Sequence, residues 1–250
     1  MAAPLTATAF MNALRAEGLA LVEVGSWKTH NRNSKGSFGP LNGVIVHHTG
    51  PYTTEAGMVS YCVSGSQALP GPLCHGVIGR DGKVYLVGYG RANHAGGGDN
   101  DVLNAVIAES YATNPPATNK GEGDPGAVDG NSRFYGFECI NKGDGREPWP
   151  EKQLDAMARA AAAICRAHGW TAKSVIGHLE WNDQKPDPKG FIMASMRARV
   201  AERLKHQANW TPSAPAPAPT ASSMEARISL LEKLVAAQEK RLVALEKVVA

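Results

Sequence analysis

VIVHH, residues 44–48, joins three β-branched residues to two histidines, a composition that favours a strand. Side chains alternate across a strand, so Ile45 and His47 face one way and Val46 and His48 the other. Only one of the two histidines can therefore face a given pocket. Working outward, HGVIGRDGKVYLVG (75–88) reads as a hairpin, with two apolar runs flanking Arg80-Asp81-Gly82, where Gly82 can supply a positive φ. FYGFECIN (134–141) is another strand, and upstream LALVEVGSWK (19–28) alternates like one.

Helical spacing fills the intervals. Residues 1–18 read as an amphipathic helix with Phe10, Met11 and Leu14 on one side and a stop at Gly18. Pro150 opens a helix in which Leu154, Met157, Ala161, Ile164, Cys165 and His168 recur on one face up to Gly169. A last core helix follows Pro188, with Met193, Met196, Val200 and Leu204 aligned. Strands alternating with helices predict an α/β fold, a central mixed β-sheet flanked by helices.

The 250 residues, 43% hydrophobic and 20% charged, suit one globular core with chain to spare. The formal charge of +3 is too small to mark a nucleic-acid binder. MAAPLTATAFMNALRAEG has no basic region leading into a continuous apolar run, so no secretory signal is expected. No stretch approaches the roughly 18 apolar residues of a membrane span, so no stable membrane insertion is expected either. Cys62, Cys74, Cys139 and Cys165 are widely spaced and form no CxxC pair, which predicts buried thiols.

From residue 207 to 223 the composition turns rich in proline and alanine (TPSAPAPAPTASS), which predicts an extended linker. Residues 224–250 lack glycine and proline and repeat apolar residues at heptad spacing, with Ile228, Val235, Leu242 and Val249 at a and Leu231 and Leu245 at d, where Gln238 makes one polar layer in an otherwise apolar seam. That pattern predicts a parallel coiled coil and hence a homo-oligomer. The expected domains are therefore 1–206, 207–223 and 224–250.

Adjacent histidines on a strand are usually one core and one surface residue. GHLEWNDQKPDP (177–188) changes that reading, because it places His178, Lys185 and Asp187 in a short, turn-rich stretch able to aim an imidazole and a carboxylate at one point. Two histidines and a carboxylate supply three of the four positions around zinc and leave one for a reactive water. Spacing by itself does not bring residue 47 to a loop near residue 180.

VIVHHTG (44–50), CHGVIGRDGKVY (74–85), RANHAG (91–96), FYGFECIN and finally GH with KPDP (185–188) occur in the order seen in the type-2 N-acetylmuramoyl-L-alanine amidases. That family includes phage amidase-type lysozymes, bacterial recycling amidases and peptidoglycan recognition proteins, and the chain resembles it over about residues 40–205. The resemblance implies the zinc amidase fold, peptidoglycan as substrate, and Zn2+ held by His47, His178 and Asp187. It implies Glu138 as general base and Lys185 as the group stabilising the oxyanion. His75, Asn93 and His94 are implied as substrate contacts, and His48 as a supporting residue. The chain departs from many phage members in carrying Cys74 where they have a tyrosine before the hairpin histidine, which leaves Glu138 and Lys185 as the expected catalytic pair.

Two other functions stay open at this point: a peptidoglycan-binding module without hydrolysis, and a zinc peptidase cutting within the stem peptide, although HExxH is absent. A wall-recycling amidase would share the chemistry. The linker and heptads favour a phage endolysin, made in the host cytoplasm and reaching the wall after holin-type release.

Overall fold

The computed structural model describes residues 2–211. The chain divides into two units, Met1–Trp210 and Thr211–Ala250, so the expected coiled coil and all but the first residues of the expected linker lie outside the described residues.

Along the chain run α1 (Ala7–Ala16), β1 (Leu21–Glu23), β2 (Gly43–His48), α2 (Glu55–Ser64), β3 (Gly76–Ile78), β4 (Val84–Leu86), β5 (Gly97–Gly98), α3 (Asn100–Ala108), β6 (Val128–Asp129), β7 (Phe134–Cys139), α4 (Glu151–His168), β8 (Val175–Gly177), α5 (His178–Trp181) and α6 (Met193–Leu204). Six strands form one sheet in the order β1-β4-β3-β7-β2-β8, and β5 pairs with β6 apart from it. β3, β7, β2 and β8 run parallel, whereas β4 is antiparallel to β3 and parallel to β1. The sheet is mixed and flanked by helices, as the alternation of strand and helix patterns predicts.

Alternation along the strands separates two cores. Val44, Val46, Tyr135, Phe137, Cys139 and Val175 pack with α1, α4 and α6, while Ile45, Phe134 and Ile176 face the other way and meet Val102, Val106 and Trp181. A third cluster, around Val77 and Ile140, is closed by Met58, Val59 and Cys62 of α2. All four cysteines are buried and unpaired.

The hairpin turns through Gly82 at φ +85°, and α4 starts after Pro150 and stops at Gly169 in the left-handed region. The first helix is shorter than expected. Thr6 caps it, its Oγ1 accepting from the Ala9 amide, and ahead of it Ala2 donates to the Leu41 carbonyl at 2.8 Å and accepts from the Leu41 amide at 2.7 Å. Phe10, Met11 and Leu14 form its buried face. Phe10 stacks on Tyr135 and Phe137 at 5.5 and 6.1 Å, a burial that contributes roughly 1.5–3 kcal/mol. The run at 19–28 shortens to a three-residue edge strand.

Candidate metal centre

Register assembles the centre. β2 pairs with β7 so that His47 stands beside Glu138, and with β8 so that Val46 stands beside Gly177. His178, the next residue after β8, therefore emerges next to His47 at the carboxyl ends of parallel strands, where α/β sheets place their ligands. Asp187 returns from the following loop, its carbonyl accepting from the Leu179 amide at 2.7 Å.

His47 Nδ1, His178 Nδ1 and Asp187 Oδ2 converge: the two nitrogens are 3.0 Å apart and each lies 3.1 Å from the carboxylate oxygen. All three residues are buried, and among the described residues this is the one cluster of three groups with metal-ligand geometry. Their far sides show which nitrogens carry hydrogen. His178 Nε2 lies 3.1 Å from the Ala95 carbonyl, which can only accept, so Nε2 is the protonated nitrogen and Nδ1 presents a lone pair. His47 Nε2 meets His94 Nδ1 at 3.1 Å, and His94 Nε2 in turn donates to the Phe134 carbonyl at 3.1 Å, so the lone pair of His47 is also on Nδ1. Two lone pairs and a carboxylate this close repel one another unless a cation sits among them. The donor set, two imidazoles and one carboxylate, fits zinc.

Electrostatics agree with that assignment. Burial, followed by the charge of His178, pushes His47 down to about 4, so the ring is neutral near pH 7. Burial pulls the Asp187 carboxyl up, but the His178 and His47 imidazoles that face its Oδ2 outweigh it and hold the group well below the usual carboxylate range, so the ionised form is the one that faces them. His48 lies on the other face of β2, half-buried, its Nδ1 accepting from the Lys189 amide at 3.1 Å.

Glu138 stands beside His47 with its Oε2 buried and without a hydrogen-bond partner. Burial, then the neighbouring Cys62 and Asp187, raises its carboxyl well above the ordinary value, and Lys185 opposes that rise. Such a carboxyl is a proton acceptor waiting for a partner. Lys185 is exposed on the loop between His178 and Asp187, near enough for its charge to act on Glu138. Cys74 is fully buried, and burial, the Cys62 thiol and Glu138 all push its own thiol up, which disfavours a thiolate nucleophile.

The three residues implied as substrate contacts are placed differently. His75 is fully buried, with Nε2 donating to the Gly90 carbonyl at 2.8 Å and Nδ1 accepting from the Gly136 amide at 2.9 Å, so neither ring nitrogen is free for a ligand. The half-buried Asn93 spends its side-chain amide on the Pro70 carbonyl at 2.7 Å. His94 is 7% exposed and turned toward His47. Its ring lies on Gly136, where a β-carbon would come within 2.4 Å of Nδ1. Asn131 gave no signal in the sequence, since DGNSR reads as a turn, yet its Oδ1 accepts from the amides of His94, Ala95 and Gly96 at 2.9, 2.8 and 3.3 Å.

The family model described as N-acetylmuramoyl-L-alanine amidase matches residues 37–190. No curated protein sequence matches the chain. Similar solved structures include the N-acetylmuramoyl-L-alanine amidase LysC from Clostridium intestinale URNW, at 18% identity and a TM-score of 0.45 over 72% of this chain and 96% of that one. The Staphylococcus aureus hydrolase AmiA in complex with its ligand is similar at 15% identity and a TM-score of 0.48, over 80% and 91% of the two chains. Drosophila PGRP-LB is similar at 18% identity and a TM-score of 0.41, over 79% and 99%.

Proposed function

The chain belongs to the N-acetylmuramoyl-L-alanine amidase family and is an enzyme of that class, and from this premise we propose that it is a zinc-dependent hydrolase of the amide between N-acetylmuramic acid and L-alanine in peptidoglycan. The observation that carries the zinc reading is the meeting of His47 Nδ1, His178 Nδ1 and Asp187 Oδ2 beside the unpartnered Glu138 carboxylate. Bound by those three residues, zinc would act as a Lewis acid and lower the pKa of a water to about 7.

The chain's own residues do the rest. Glu138, as general base, accepts a proton from the attacking water and later delivers it to the leaving L-alanine nitrogen. Lys185 brings a mobile cation to the oxygen on which charge develops. The carbonyl of Ala95 and the ring of His94 hold the two histidines with their lone pairs inward. The biological reading is a phage endolysin, supported by the proline-rich stretch and heptads that follow the catalytic region in the sequence.

Mass analysis of digested cell walls tests the reaction. The expected products are a glycan with intact lactyl ether and a peptide with free N-terminal L-alanine, lost on chelation and regained with zinc. Cleavage inside the stem peptide would overturn it. Metal content of His47→Ala and His48→Ala tests the ligand set: the first is expected to lose zinc and the second to keep it.

A further inference from the structure

His94 and Ala95 sit side by side in the segment RANHAG, and each touches the outer nitrogen of a different histidine of the centre. Neither points to the outside. His94 is buried, its Nε2 is taken by the Phe134 carbonyl on β7, and its Nδ1 faces His47 Nε2. A neutral imidazole whose Nε2 must donate to a carbonyl has a lone pair on Nδ1. That lone pair can accept only from a protonated His47 Nε2.

We propose that His94 is a positioning residue of the metal centre: by accepting from His47 Nε2 it selects the His47 tautomer whose Nδ1 lone pair points at His178 and Asp187. Ala95 does the same for His178 through its carbonyl, and Asn131, accepting three consecutive amides, holds the two-residue template in place. The chain of polarity runs from the β7 backbone through His94 to His47, and so ties ligand orientation to the strand that also carries Glu138. Groups in the shell behind a metal ligand typically change affinity by about 10- to 100-fold when removed. The proposal rests on the zinc reading above.

Zinc titration of the metal-stripped full chain against a competing chromophoric chelator tests it, in wild type, His94→Phe and His94→Asn. The wild type is expected to bind one zinc per chain. Phenylalanine keeps the ring but offers no lone pair, and is expected to weaken zinc binding by about 10- to 100-fold. The asparagine carbonyl reaches roughly the position of Nδ1 and is expected to recover most of the loss. Long-range nitrogen–proton correlation spectra of the metal-free wild type are expected to show His47 protonated on Nε2, a signature that a purely structural ring would not impose. Zinc affinity within about twofold of wild type in His94→Phe would overturn the proposal and leave the zinc reading standing. So would an asparagine variant as weak as the phenylalanine one, or His47 protonated on Nδ1. Absence of zinc binding in the wild type would overturn both. If His94→Phe does not fold, the asparagine variant and the wild-type spectra decide.

Discussion

Glu138 is held in an environment that suits a base only when something compensates its charge. Its raised pKa means that the folded, metal-free protein binds a proton more tightly than the unfolded chain does, so stability falls as pH rises above the unfolded value of about 4.5. Glu138→Gln removes that cost. The metal-free variant is therefore expected to be more stable than wild type at pH 7, with the gap closing below about pH 4.5, as chemical denaturation at both pH values would show. The same substitution is expected to keep zinc while lowering turnover by about 10²- to 10⁴-fold, the usual range for a general base. Lys185→Ala, at an exposed site, is expected to leave stability and metal content unchanged and to lower kcat by roughly 10²- to 10³-fold, which steady-state rates on purified walls would reveal.

At the level of elements, the centre depends on how α5 is held. His178 is its first residue, and Glu180 within it accepts from the Gly177 amide at 3.0 Å. The same carboxylate takes a bidentate pair from Arg197 of α6, at 2.7 and 2.9 Å, with both side chains at least nine-tenths buried. Arg197 also donates to the Val175 and Thr113 carbonyls and to Asn114. Removing one partner leaves a buried charge uncompensated, at a cost of about 3–5 kcal/mol. Arg197→Met is expected to lower unfolding stability by that order and to weaken zinc binding with it, because the strand end that aims His178 loses its anchor. Equilibrium denaturation and zinc titration of the same variant check both halves.

Across the whole molecule, buried histidines set the response to acid. His47 and His75 are both held to about 4 by burial, so the unfolded chain binds their protons first as pH falls. Their contribution to stability is full above about 6.5 and is lost between about 6.5 and 4. Glu138 works in the opposite sense over part of that range, so the histidine effect is cleanest in Glu138→Gln, whose metal-free stability is expected to fall monotonically from pH 7 to 4.5. Beyond the described residues, the heptads at 224–250 are expected to join catalytic units. Sedimentation of the full chain against one ending at Ala218 should show an oligomer reduced to a monomer, and monomers in both would remove the coiled coil. Multivalent attachment would slow release from the wall without any new contact.

The strands and helices were legible because their signals are local. Alternation in VIVHH put His47 opposite His48, β-branched and apolar periodicity marked the sheet and α4, and the residues before α1 escaped notice only because their pairing with Leu41 is long-range. The three histidine and aspartate positions were readable from motif order, whereas their meeting was not, because it depends on the register of β2 against β7 and β8. What faces a buried ring is likewise decided in three dimensions. His75 and His94 look alike in the sequence, as polar residues near a cleft. Tertiary packing gives one to the backbone of Gly90 and Gly136 and turns the other toward His47, because a buried imidazole must find partners for both nitrogens and those partners lie far away along the chain.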